Sequence, residues 1–392
     1  MKGHIKQRSK GSWTIWVDLG RDLASGKRKQ QTSTVRGSKK DAERELRAVL
    51  TRIEGGAYVK PAKLTVGEYL EQWLQSYVSS NVGPRTRERY VEIVHAHLIP
   101  ALDSIPLIAL RSQHIQTYYG KALKSGRRDG NGGLSAQTVQ HHHRVLYEAL
   151  KHAVKHGILI RNIAEAVDPP RPEHKEMVTL APEQVNKLLD AVRDTPYYNL
   201  FYIAIYTGLR RSELLALRWS HIDLDLATLS VVETLHQLHN REFVFRQPKS
   251  KKGRRLVALS PSLAILLREH KQKQELDRMM LGKLLLPNDL VFSNPDGSPL
   301  QPDGITKAFT RIARSIGLYG VRFHDLRHTH ATLMLCQGIH PKIVSERLGH
   351  SSIAITLDTY SHVMPGLQEA AAQRFEEGLQ RATADVPVKT VG

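Results

Sequence analysis

The stretch GSWTIWVDL, Gly11 to Leu19, alternates Trp13, Ile15 and Val17 with Thr14, Trp16 and Asp18. A period of two places the first set on one face of a β-strand. A turn containing Gly and Asp follows, and KRKQQTSTV, polar and β-branched, predicts a second strand. Ser38 and Asp41 have capping-box spacing and predict a helix to about Ile53, stopped by Gly55-Gly56. Lys60 to Lys63, with Pro61, reads as a linker. The period then becomes helical. Thr65 and Glu68 form a second capping box ahead of Val66, Tyr69, Leu70, Trp73, Leu74 and Tyr77. Thr86 is expected to cap a helix reaching His97 that Pro100 ends, and a third helix to start near Ser112. SGRRDGNGG, Ser125 to Gly133, predicts a flexible basic loop, and Ser135 opens a long helix running to Gly157. His141, His142, His143, Arg144, Lys151, His152 and Lys155 line that helix, and the triplet His141 to His143 reads as a solvated or polyanion-facing stripe. DPPRPEHKE, Asp168 to Glu176, breaks the pattern with its prolines and marks a domain boundary. From Val178 onward helical patterns alternate with two β-type stretches. One is LATLSVVETL; the other is the hairpin-like pair FVFRQPK and RRLVAL around Ser250 to Gly253. Leu367, Ala370, Ala371, Phe375 and Leu379 give a C-terminal helix one apolar face, and the last dozen residues are expected to be disordered.

Composition narrows what such a chain can do. At 392 residues it should hold two or three domains. Lys and Arg number 57 against 38 Asp and Glu, a formal charge of +19. The first 60 residues carry 15 of those cations and 6 of the anions, or +9. Such an excess costs folding stability through self-repulsion and points to a polyanion, nucleic acid or an anionic membrane. No apolar run reaches the ~18 residues that span a bilayer, and no apolar segment of signal-peptide type follows the N-terminus. The nucleic-acid reading is therefore preferred, in a reducing cytoplasm. The single cysteine, Cys336, lies in ATLMLC and excludes an internal disulfide. It reads as a small buried hydrophobe.

Three segments concentrate the side chains that handle phosphate. In TGLRRSELLALRWSHIDLD, Gly208 ends or bends one helix and Arg210 starts the next. Glu213, one helical turn on, can hold the Arg210 guanidinium so that its planar fork suits phosphate oxygens. In QPKSKKGRRLVAL a basic turn between strand-like arms offers Lys249, Lys251 and Lys252 as competing proton donors, although a solvated charge run explains the same residues. In the third segment, Phe323 to Val363, His324 and Arg327 are three apart, His350 follows Gly349, and Tyr360 lies ten residues further. A tyrosine is unactivated at its pKa of about 10 and needs a base or a strong positive field. His324, His328 and His330 also have ligand-like spacing. Arg327 among them would repel a cation, and Asp325 points elsewhere, so metal catalysis is disfavoured.

TGLRRSELLALRW, HDLRHTHAT and LGHSSIAITLDTYSHV, with the order Arg, Lys, His-x-x-Arg, His, Tyr, resemble the tyrosine recombinase (phage integrase) family. The match is strong over about the last 200 residues, and its specificity comes from several motifs in order. The resemblance implies a multidomain, mainly α protein with small β-sheets. Residues 1–60 would form a three-stranded sheet plus helix that binds arm-type DNA, 64–168 a helical core-binding domain, and 175–392 a mixed α/β catalytic domain with a C-terminal helix and tail. It implies that Tyr360 attacks the scissile phosphate and forms a 3′-phosphotyrosyl link. Arg210 and Arg327 would hold the non-bridging oxygens, and Lys249, with Lys251 as fallback, would protonate the leaving 5′-oxygen. His324 would assist proton transfer at Tyr360 and His350 would bind a phosphate oxygen. It implies no cofactor, neither metal nor ATP. The implied partners are double-stranded DNA at core and arm attachment sites, three further copies in a homotetramer on DNA, an excisionase and a host DNA-bending protein, with no membrane. Integration and excision of a mobile element through a Holliday junction, in a bacterial host's cytoplasm, is the expected activity. A DNA-binding regulator on the same fold and a type IB topoisomerase are the alternatives.

Overall fold

A computed structural model of the chain describes residues 3–21, 28–54, 64–173, 177–248 and 251–360, with two short helical pieces at 372–373 and 375–377. It divides into two compact units, Met1–His174 and Lys175–Gly392.

The first unit begins with an antiparallel sheet of β1 (Gly3–Ser9), β2 (Ser12–Arg21) and β3 (Arg28–Arg36), with β2 central. The alternation on β2 is realised, for Ile15 and Val17 are buried while Trp16 stacks on His4 of the neighbouring strand. Ser38 and Asp41 bond reciprocally, backbone to side chain in both directions, at the start of the helix Lys39–Glu54. Gly55-Gly56 and the Lys60–Lys63 linker lie outside the described residues.

The helical part follows the predicted periodicity. Thr65 and Glu68 form the capping box of the helix Val66–Trp73, whose Tyr69, Leu70 and Trp73 enter a core shared with Leu98, Ile115, Leu146 and Leu150. Three expectations are corrected. The helix that Thr86 was to cap starts at Pro84, because a proline at the first helical position has no N–H to leave unpaired. It does not stop at Pro100. A π-turn at Val94–Leu98 changes the hydrogen-bond partners just before Ile99–Leu102, so the proline falls in the first turn of a new segment. The histidine run on the helix Ala136–Lys155 is not a solvated stripe. His142 is buried, its Nδ1 2.7 Å from Tyr118 Oη and its ring 4.6 Å from that of His97. His143 Nδ1 lies 2.8 Å from Tyr119 Oη. Burial, with His97 and the cations beside it, lowers the His142 pKa to about 4, which makes it a neutral packing ring.

The second unit is built around three phenylalanines. Phe201 of the helix Tyr198–Thr207 meets Phe309 and Phe323 with ring centroids 5.4 and 5.8 Å away, all edge to face. Two small sheets flank this core. One holds β4 (Ile222–Asp223), β5 (Thr228–Val231) and β8 (Arg255–Ala258); the other pairs β6 (Thr234–Gln237) with β7 (Phe243–Arg246). The arms FVFR and RRLVAL therefore do not pair with each other. Phe243–Arg246 finds its partner just upstream in Thr234–Gln237, through a turn with Arg241 at φ 67°, and Arg255–Ala258 aligns Val257 on Leu229. Cys336 is exposed at the end of the helix Asp325–Cys336, not buried. The C-terminal apolar helix expected after Tyr360 falls largely outside the described residues. Among the described residues no helix is long and apolar enough to cross a membrane.

Phe201→Ala should cost about 3–5 kcal/mol, because the aromatic triangle has no neighbour free to fill the space. A fall in the urea midpoint of the full chain measures it, and an unchanged midpoint contradicts this packing.

Candidate active site

Arg327 is the fixed point of the site. It lies in the first turn of the helix Asp325–Cys336, with only 3% of its surface exposed. Its Nη1 donates to Gly208 O at 2.8 Å and its Nη2 to Leu348 O at 2.6 Å. Both carbonyls sit at helix C-termini, of Tyr198–Thr207 and Pro341–Leu348, where oxygens lack helical partners and the dipole is negative. Each helix is closed by a left-handed glycine, Gly208 at φ 65° and Gly349 at φ 68°. A Cβ at Gly208 would lie 2.7 Å from the His330 ring, and one at Gly349 2.9 Å from Arg255 Nη1. Glycine is needed at both places for conformation and for room. Burial, then Arg210, pulls the Arg327 pKa down to about 9, and Glu213 opposes the fall, so the guanidinium stays charged at neutral pH.

The Arg210–Glu213 pairing expected from the sequence is present and is extended by a third residue. Arg210 is the N-cap of Arg211–Leu214; its Nη1 donates to Glu213 Oε1 at 2.7 Å and its backbone N–H to Oε2 at 3.0 Å. From the other side Arg255 grips both carboxylate oxygens, at 3.2 and 2.9 Å. Glu213 is buried, and desolvation alone would raise its pKa. The hydrogen bonds and charge of Arg255, joined by Arg210, outweigh that and bring it to about 2. Sequence reasoning missed Arg255, counting it within a solvated charge run. The signal was its place in β8, where strand alternation sends Arg255 and Val257 inward and leaves Leu256 exposed.

Tyr360 ends the helix Ile353–Tyr360 and packs against Ala331, Leu335, Val344 and Leu348. Burial raises its pKa to about 12, against the pull of Arg327 and Arg210, so the phenol carries its proton at neutral pH. The ring nitrogen that meets Tyr360 Oη, at 2.8 Å, is Nδ1 of His328. His324, just ahead of the same helix, stands edge-on to His328 with ring centroids 4.9 Å apart. His350 follows Gly349 and its Nδ1 lies 2.8 Å from Thr356 Oγ1. Its pKa falls to about 4, first through burial and then through Arg327, Arg210 and Arg255. Five of the six sequence candidates, Arg210, His324, Arg327, His350 and Tyr360, are thus gathered in one basic pocket. Lys249 lies outside the described residues. Of its rivals, Lys252 Nζ donates to Ser351 O at 2.8 Å and ties the hairpin to the loop after His350. His328 was missed as a partner of Tyr360, since the histidine spacing had been weighed only against a metal. Among the described residues no group of three or more His, Cys, Asp or Glu is arranged to hold one.

The pattern of the Phage integrase family matches residues 179–366, which include Arg210, Arg327, His350 and Tyr360. The chain belongs to this family, the tyrosine recombinases. Residues 65–123 of this tyrosine recombinase match the phage integrase N-terminal SAM-like domain. It is 29% identical over 397 residues to a protein named tyrosine recombinase XerC-like from Caldanaerobacter subterraneus subsp. tengcongensis, covering 96% of this chain and 98% of that one. It is 27% identical over 377 residues to the ICEBs1 integrase of Bacillus subtilis, covering 95% and 99%. Its fold resembles that of the Tn1549 transposon integrase, solved in complex with a circular intermediate DNA, at a TM-score of 0.66 and 19% identity over 80% of this chain and 99% of that one. A lambda integrase tetramer bound to a Holliday junction matches at 0.57 and 18% identity over 91% and 94%.

Glu213→Gln should destabilise the chain by roughly 3–5 kcal/mol, because two arginines lose their shared counter-charge. The pH dependence has a definite sign. Glu213 has a folded-state pKa lowered from 4.5 to about 2, so its contribution is complete above about 4.5 and disappears as the pH falls towards 2. It amounts to about 3 kcal/mol. Urea unfolding between pH 6 and 3 should show a steeper acid loss in the wild type than in Glu213→Gln; parallel curves contradict the assignment.

Proposed function

We propose that this tyrosine recombinase integrates and excises a mobile element in a bacterial host's cytoplasm, cutting and rejoining DNA through Tyr360. The observation that carries the reading is the placing of Tyr360 beside two buttressed guanidiniums, Arg327 and Arg210, in a pocket short of negative charge. In the cleavage step Tyr360 Oη attacks the scissile phosphorus, the bond to the 5′-oxygen breaks, and a 3′-phosphotyrosyl link forms. Arg210 and Arg327 hold the non-bridging oxygens. Their backbone and carboxylate partners pre-orient them, so little reorganisation remains when charge builds up in the transition state. The neutral His350 ring, whose Nδ1 meets Thr356 Oγ1, donates to a phosphate oxygen in the tautomer that carries its proton on Nε2. His324 takes part in the proton transfer at Tyr360. The leaving 5′-oxygen takes its proton from a hairpin lysine, Lys249, with Lys251 as the fallback. The phosphotyrosyl bond keeps the energy of the phosphodiester, so rejoining draws on neither ATP nor metal.

Exchange between two duplexes needs four such sites, so the working form is a homotetramer on DNA passing through a Holliday junction. Residues 64–168 and the catalytic domain, 175–392, grip the core site chiefly through phosphates. Residues 1–60, whose charge of +9 exceeds what so small a module needs for folding, bind a separate arm site. An excisionase sets direction and a host protein bends the intervening DNA. The regulator and topoisomerase readings are less favoured: the first has no use for the buttressed arginines, and the second none for a separate basic module.

A nicked suicide substrate, which loses its short 5′-hydroxyl strand on cleavage, tests the chemistry. Wild type should accumulate covalent protein–DNA adduct, Tyr360→Phe none, and Arg210→Ala at least a hundredfold less in the same time. Lys249→Ala should cleave slowly on normal DNA and recover on a 5′-bridging phosphorothioate, whose leaving sulfur needs no acid. Recovery by Lys251→Ala alone moves the role to Lys251. Absence of adduct from wild type on substrates containing the element's own junction sequences sinks the recombinase reading.

A further inference from the structure

We propose that His328 is the catalytic base of the tyrosine step: its Nδ1 takes the phenolic proton as Tyr360 attacks and returns it on rejoining. The inference rests on the reading of Tyr360 as nucleophile and goes beyond it in naming the proton's destination. Geometry carries it. Nδ1 lies 2.8 Å from Tyr360 Oη, within the range for direct proton transfer. The ring cannot easily leave, since His328 is the residue after Arg327, whose side chain is locked onto two helix ends. The other groups of the pocket are poor acceptors. Arg210, Arg255 and Arg327 have donors alone, and the Glu213 oxygens are taken by Arg210 and Arg255. His350 Nδ1 is occupied by Thr356, and His324 packs T-shaped on the His328 ring, centroids 4.9 Å apart, from where it assists the transfer through that ring. Burial lowers the His328 pKa, Asp325 opposes the shift, and Arg327 and Arg322 add to it, so the ring is a neutral free base at pH 7.

The step balances. The Oη–P bond forms as the P–O5′ bond breaks; the phenolic proton passes to His328 Nδ1, giving imidazolium, and O5′ takes a proton from the hairpin lysine. In rejoining, the 5′-hydroxyl gives its proton back to the lysine and attacks phosphorus, and the departing tyrosine oxygen recovers its proton from His328. An imidazolium formed here stands beside Arg327, so its charge is tolerated only while the phosphate is in the pocket. That coupling favours return of the proton in the same site.

Single-turnover adduct formation by the full chain on the nicked substrate decides the matter, with DNA affinity followed by gel shift. His328→Ala should slow cleavage by about a hundredfold or more while affinity stays the same. Added imidazole should restore much of the rate to His328→Ala. It should not speed up His324→Ala or His328→Gln, whose amide keeps the space and a hydrogen bond but cannot carry the proton away. Wild-type rates in His328→Ala, failure of imidazole to rescue it, or a wild-type rate in His328→Gln would each overturn the proposal, the last reducing His328 to a positioning residue. Adduct formed by Tyr360→Phe would instead overturn the nucleophile assignment beneath it.

Discussion

The second unit depends on one arrangement, the suspension of the Arg327 guanidinium between two helix C-termini. A buried arginine must satisfy its donors, and here Gly208 O and Leu348 O do so where helices leave carbonyls free. Both helices reach that point only because each ends on a left-handed glycine with no room for a Cβ. The same two turns then release Arg210 on one side and His350 on the other. Arg327 is thus both the centre of the site and the clasp between the segments that carry its neighbours.

Glu213 is the counterweight. Arg210, Arg255 and Arg327 surround a single carboxylate, so the pocket keeps a surplus of positive charge even after Glu213 is fully ionised. That surplus costs stability in the free protein and is compensated when a phosphodiester enters. Pairing Glu213 from two sides also restricts the Arg210 fork to one orientation. The carboxylate contributes rigidity that a lysine, as a point charge, would not exploit.

Much of this was legible in the chain. Helical period, the Thr65–Glu68 box and the alternation on β2 come from local chemistry, so they survive folding unchanged. The Arg210–Glu213 pair was legible for the same reason, being one helical turn. Arg255 was not, because 42 residues separate it from Glu213 and the contact exists only once β8 is placed in the folded unit. His142 was misjudged because its partner, Tyr118, sits on another helix, 24 residues upstream. Proline at position 100 misled through a rule that holds for an unbroken α-helical ladder, which the π-turn before it interrupts. His328 was visible as a residue but not as a partner, since its contact with Tyr360 closes across 32 residues and the helix Pro341–Leu348 between them.

Tyr360 itself shows why position in the sequence says so little about reactivity. Its burial by the Ala331, Leu335 and Leu348 face opposes ionisation, and the arginines beside it favour ionisation. The net result is a phenol with a pKa of about 12, stable against idle chemistry while no phosphate is bound. A nucleophile of that kind cannot wait as phenolate; it has to lose its proton during attack. The arginines make the negative oxygen bearable in the transition state, but having only donors they cannot take the proton away. An acceptor within hydrogen-bond distance is therefore a requirement of the burial itself. The apolar packing that holds Tyr360 at the end of its helix and the imidazole that meets its hydroxyl belong to one design.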